Sequence, residues 1–139
     1  MTALRPLTIA KKLKKLDEVI RQMEGIRAYP RETFLENKVL QAAAERFFIL
    51  GIEIITDVGD HLLREEKNLS PESYDEIIAQ LGKTKIVPPS VAKRNAGMAK
   101  FRNLLVHVYD DIEPGLVYTY LEKAPREFRA FAKAFVKYI

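Results

Sequence analysis

Within the segment FRNLLVHVYDD, residues 101–111, an arginine, an asparagine, one of the chain's two histidines and a tyrosine fall inside eight positions. Each type does distinct chemistry. Histidine can take or give a proton near neutral pH. The arginine fork carries a fixed positive charge shaped for phosphate oxygens. RNA brings its own nucleophile, the ribose 2′-OH. A base on that hydroxyl and a cation on the developing phosphorane charge would suffice for strand cleavage without a metal. From spacing alone, a solvated helix end is the better account of Arg102, Asn103, His107 and Tyr109.

Helical geometry constrains how these groups could act together. At about 100° per residue, Phe101, Leu104, Leu105 and Val108 make the buried face of such a helix. Asn103 and His107 share a second face, and Arg102 and Tyr109 a third. Arg102 and His107, five residues apart, then diverge by about 140°. Three arrangements would reconcile them with one phosphate. The long arginine wraps around, the helix ends near His107, or a second copy of the chain completes the site.

The elements that must position these residues read as helices. Ile9, Leu13, Leu16, Ile20 and Met23 keep 4-3-4-3 spacing, which predicts a first helix over 7–26. A long second helix should start near 35–37 and run to about 66, with Val39, Ala43, Phe47, Leu50, Ile54, Val58 and Leu62 on one face. Gly51 and Gly59 inside it imply close helix packing, since each costs up to about 1 kcal/mol relative to Ala. Ser70-Pro71-Glu72 reads as the start of a short third helix over 71–81. Ser90 reads as the N-cap of a fourth, which carries the motif and ends between 108 and 111. Asp111-Ile112-Glu113-Pro114 starts a fifth, with Val117, Leu121, Phe128, Phe131, Ala132 and Phe135 inward and a kink or split at Pro125. The expected architecture is all-α. Helices one, two, four and five form an antiparallel bundle, and the third is an insertion.

Composition narrows the class. The 139 residues suit one domain spanning 1–139, with 47% apolar and 30% charged residues. With no cysteine, a disulfide scaffold, a thiolate nucleophile and cysteine-ligated metal are excluded. Lysines interrupt the N-terminal segment too early for a signal peptide, and no apolar run reaches membrane-spanning length. A cytoplasmic protein is expected. The net charge of +4 is unevenly spread. The segment 32–82 holds eleven acidic against four basic residues, whereas Lys83 to Arg102 holds six basic residues and no acid. Such a stretch can attract a phosphate backbone, or simply be a solvated surface.

Arg46, Glu53, Asp57, His61 and Arg64 form a polar stripe along the second helix. Glu53 and Asp57 could line the cleft or touch a partner; the alternative is a solvated face with ion pairs along it. Asp57 and His61 supply only two ligands, so no metal site is read here.

The motif Arg102-Asn103-x-x-x-His107-x-Tyr109 resembles the Arg-x-x-x-x-His-x-Tyr signature of HepT-like toxins, small helical ribonucleases of the HEPN superfamily. AAERFFILGIEIITDVGDHLL (43–63), SPESYDEI (70–77), MAKFRNLLVHVY (98–109) and VYTYLEKAPREFRAF (117–131) follow in the family's order, so the resemblance covers most of the chain. It implies a bundle of four or five helices that dimerises through the motif helix. It implies a metal-independent, cofactor-free endoribonuclease toxin acting on RNA, a tRNA or an mRNA. Arg102 and His107 would be the catalytic pair, with Asn103 orienting the histidine. The implied partner is a cognate MNT-type nucleotidyltransferase antitoxin, which neutralises by placing AMP on Tyr109, by binding, or both. The competing reading is a non-catalytic HEPN protein that binds nucleotide or RNA, or that serves as a scaffold for the nucleotidyltransferase.

Overall fold

The computed structural model describes residues 6–107 and 112–139. They form seven helices: α1 (Pro6–Arg27), α2 (Arg31–Glu36), α3 (Lys38–Lys67), α4 (Tyr74–Lys83), α5 (Pro89–Arg94), α6 (Met98–His107) and α7 (Pro114–Val136). The all-α bundle expected from periodicity is present, and no strand occurs among the described residues.

At 30 residues, α3 is about 45 Å long and forms the axis of the molecule. It packs against α1, α4, α6 and α7, and α1 also packs against α7. Because neighbours surround it, its buried surface is broader than one stripe. Ala44, Phe48, Ile52, Ile55, Leu62 and Leu63 are buried, and Val39 is 78% exposed. The expected face therefore lies about one position away from the deepest one. Ala43, Phe47, Leu50 and Ile54 pack at its edges. The two glycines do mark close approaches. A Cβ on Gly51 would overlap the Phe128 ring of α7, and one on Gly59 would stand 2.8 Å from Leu81 Cδ1 on α4.

The expected first helix matches α1, whose five stripe residues are all buried. Elsewhere local chemistry moves the boundaries. Residues 31–36 form their own short helix, because Asn37 adopts an extended conformation and caps α3 by accepting from the Leu40 amide at 3.0 Å. The third helix starts at Tyr74 rather than Pro71. Ser73 caps it by accepting from the Glu76 amide, while Glu76 accepts from the Glu72 amide, in the manner of a capping box. The Pro71 carbonyl instead accepts from Arg64.

The expected fourth helix is two helices. Its N-cap is Pro88 rather than Ser90, and it breaks after Arg94. At the break, Asn95 Nδ2 donates to the Val91 carbonyl at 2.8 Å and to Glu127 Oε1 at 3.0 Å. A side chain that takes the carbonyl of residue i−4 competes with the helical ladder. At Pro125 the expected split does not occur, since α7 runs as one helix through it. A helical proline costs about 3 kcal/mol. Burying Leu121, Phe128, Phe131 and Phe135 yields about 1.5–3 kcal/mol each, which outweighs that cost.

Glu127 on α7 locks the break in place. It is buried, accepts from Arg94 Nε at 3.1 Å and Nη2 at 3.1 Å, and accepts from Asn95. Burial alone would raise its pKa. The hydrogen bonds from Arg94 and Asn95, with the charges of Arg94 and Arg126, outweigh burial and hold it below the ordinary 4.5. A lowered folded-state pKa gives stability that is fully present above the unfolded value and lost as pH falls through the folded value. Acid titration of unfolding free energy should therefore show a loss below about pH 4.5 that Glu127→Gln flattens. At neutral pH the variant should be about 1–3 kcal/mol less stable.

Candidate functional site

Three helices, α3, α4 and α6, define the site. The core face of α6, Phe101 and Leu105, is buried, and Phe101 meets Phe48 of α3 edge-on with centroids 5.0 Å apart. Leu104 is only partly buried. Seating α6 on α3 in this way turns Arg102 toward α3 and α4. Its Nη2 donates to Glu53 Oε1 at 2.9 Å, and its Nη1 donates to Asn103 Oδ1 at 3.2 Å. The guanidinium carbon lies 5.0 Å from the centre of the Tyr74 ring. The Arg102 side chain is 15% exposed and Glu53 38%. An arginine cannot shed its charge, so this depth requires an anion and an aromatic face beside it.

Glu53, read from the sequence as a cleft contact, is thus an Arg102 contact. Asp57 is not: one turn along, it faces α1 and pairs with Lys12 at 3.8 Å. The polar stripe divides further along, since Arg64 pairs with Asp60 and His61 lies 4.0 Å from Glu65. Arg46 is exposed. Asn103, expected beside His107, instead accepts from Arg102. His107 is exposed on the last described turn of α6, and no hydrogen bond joins it to Arg102 among the described residues. Tyr109 lies outside the described residues.

Tyr74 is the contact that the sequence did not reveal. It is one of six tyrosines, and nothing in its spacing marks it. Only the packing of α4 on α3 brings it to Arg102, so the helix expected as an insertion contributes to the site. Beside it opens a groove of about 470 Å³ bordered by Asp60, Arg64, Glu72, Asp75 and Asn103. Its three carboxylates against one guanidinium would repel a phosphate backbone. Among the described residues no three His, Asp or Glu side chains gather as metal ligands, and no described helix is long and apolar enough to cross a membrane.

A bundle in which one short helix carries Arg102 and His107 at five-residue spacing matches a known family model, Ribonuclease HepT-like, over residues 12–135. The chain belongs to the HepT-like family. It is 27% identical over 139 residues to a tRNA nuclease HepT from Aphanizomenon flos-aquae, a match covering 100% of this chain and 95% of the relative. The fold is that of the toxin–antitoxin MntA-HpeT structure, with a TM-score of 0.81 at 18% identity over 94% of this chain and 98% of the other. It is also that of a tri-AMPylated Shewanella oneidensis HEPN toxin in complex with MNT antitoxin, with a TM-score of 0.77 at 18% identity and full coverage of both chains.

For this HepT-like chain, a double-mutant cycle measures how firmly Arg102 is held. Glu53→Gln and Arg102→Gln should show a coupling of about 0.5–1 kcal/mol in unfolding free energy, since the pair is partly solvent-screened. A coupling of zero would mean that the two side chains do not bond.

Proposed function

We propose that this protein is a metal-independent endoribonuclease toxin of a toxin–antitoxin pair. The observation that carries the reading is the motif itself. Arg102 and His107 stand on one helix of a HepT-like chain, with Arg102 fixed at its guanidinium end by Glu53 and Tyr74 and His107 exposed to solvent.

The chemistry follows from these groups. His107 accepts the proton of an RNA 2′-OH, the 2′ oxygen bonds to phosphorus, and the bond from phosphorus to the 5′ oxygen breaks. The proton is then returned to that leaving oxygen. Arg102 holds the non-bridging oxygens, whose negative charge grows in the transition state. To do so it exchanges the Glu53 carboxylate for phosphate, another anion that suits its fork. In this structure Arg102 faces α3 and α4 while His107 is exposed, which favours a homodimer in which facing α6 helices pool their side chains. The curated relative is named a tRNA nuclease, which supports RNA as substrate and favours a tRNA over an mRNA; the place of action is then the cytoplasm, where such RNA is found.

The similar HEPN toxin is tri-AMPylated and complexed with an MNT antitoxin. On that likeness, a cognate MNT-type nucleotidyltransferase is this chain's partner and Tyr109 its target. Tyr109 is two residues beyond His107 in sequence. Each AMP would add a phosphodiester charge and a bulky base beside the catalytic histidine. The charge would compete for Arg102, and the bulk would obstruct RNA.

Cleavage of RNA by the purified protein should survive EDTA. Arg102→Ala and His107→Ala should each lower it by about 10² to 10⁴ with the fold intact by circular dichroism. Equal cleavage by either variant, or loss of cleavage on chelation, would overturn the mechanism. Light scattering at micromolar concentration should give a dimer mass, and a fully active monomer would exclude the shared site. Incubation with the nucleotidyltransferase, ATP and Mg²⁺ should add whole AMP units, block cleavage and spare Tyr109→Phe. If the modified protein cleaves at the unmodified rate, inhibition comes from coverage by the partner.

A further inference from the structure

A second concavity lies on the opposite flank of α6. It has a volume of about 420 Å³ and is lined from α3, α6, α7 and the 94–97 turn, a size typical of small-ligand sites. Neither Arg102 nor His107 borders it. Its floor is aromatic. Phe48 meets Phe101 and Phe128 edge-on, and Tyr120 leans on Phe101 with centroids 4.4 Å apart and planes 44° apart. Tyr120 is 45% exposed, a large ring at the mouth with surface still open.

The rim is cationic. Arg94, Lys123 and Arg126 border the opening. The single carboxylate there, Glu127, is buried and already engaged by Arg94 and Asn95. Arg126 approaches Glu127 only to 3.9 Å and its side chain is 79% exposed. The lining therefore carries a net positive charge around an aromatic floor. That combination fits a nucleotide, with its base against the ring and its phosphate among the cations. A purely apolar ligand would gain nothing from the rim, and a free anion nothing from the floor.

We propose that this pocket is a nucleotide subsite, which takes one unstacked nucleotide of the RNA strand whose backbone reaches the motif. The base stacks on Tyr120 and the phosphate rests between Lys123 and Arg126. A helix is about 10 Å thick, so a strand held on this flank can lay one phosphate over α6 at Arg102. Phe101 and Arg102, about 100° apart around α6, then serve one substrate from neighbouring faces. The acidic groove beside Asn103 repels the backbone, whereas this flank attracts it. The proposal rests on the ribonuclease reading, but binding tests it independently of cleavage.

The probe is a fluorescent 2′-O-methyl RNA hexamer, which lacks the 2′-OH nucleophile, with AMP as a competitor. Anisotropy titrations should show binding that Tyr120→Ala weakens roughly five- to a hundredfold and that Tyr120→Phe largely retains. Lys123→Glu, on an exposed position away from the core, should weaken binding and lower its salt dependence. Competition by AMP would show that a free nucleotide fills the pocket; binding of the hexamer alone would show that the strand is required. With cleavable RNA, the pocket variants should raise KM more than they lower kcat.

Unchanged hexamer binding in both Tyr120→Ala and Lys123→Glu would overturn the subsite, as would binding that only Arg102→Ala abolishes. If the variants leave binding unchanged and instead alter the mass in light scattering, the pocket is an interface between copies. Binding without any cleavage by the wild type would leave the subsite standing and remove the ribonuclease reading. Cleavage with an unaltered KM in both pocket variants would do the reverse.

Discussion

Arg102 carries a charge that it cannot release, and the packing of α6 takes most of its side chain out of water. The half-buried guanidinium must therefore meet an anion, and the fold supplies Glu53 at 2.9 Å. It must also be covered by something that tolerates a cation, and α4 supplies the Tyr74 ring at 5.0 Å. Three helices are thus tied at one side chain. The tie specifies more than it stabilises, because a partly exposed pair contributes little net energy. It joins the motif helix, seated by Phe101 and Leu105, to α3 and α4 at a single side chain.

Glycines on α3 let its neighbours come close. Gly51 admits the Phe128 ring of α7, and Gly59 admits Leu81 of α4. A side chain at Gly59 would displace Leu81 and Ile77 of α4, the helix that carries Tyr74. The same economy appears on the far flank, where Glu127 draws Arg94 and Asn95 into the turn between α5 and α6. Breaking the predicted fourth helix there lets α6 take a direction of its own. One flank of α6 then faces an acidic groove and the other a basic, aromatic pocket.

That asymmetry bears on how a long polyanion could approach. The surface near Asp60, Glu72 and Asp75 repels phosphate, while Arg94, Lys123 and Arg126 attract it. Fields of this kind orient a charged ligand before any specific contact forms. The acidic groove draws on the segment 32–82, whereas the basic flank joins Arg94 to Lys123 and Arg126 of α7, a grouping that the linear charge does not show.

The helical class, the α1 stripe and the Arg–His spacing were legible in the sequence, because each depends on periods of three to five residues that local geometry imposes. Gly51 and Gly59 correctly announced tight packing, although not the partner helices. The start of α4 was misplaced because Ser70 and Ser73 both look like caps, and the choice depends on Arg64 taking the Pro71 carbonyl. The break after Arg94 was invisible because its cause, Glu127, lies 32 residues beyond Asn95. Asp57 and Glu53, one turn apart on α3, looked equivalent, yet one faces Lys12 and the other Arg102. The sequence by itself determined which residues could do chemistry and that they ride on helices. Only the tertiary structure decided which side chains meet, because burial of a charge is settled by contacts between segments far apart in the chain, and Tyr74 has no local signal that it will cover Arg102.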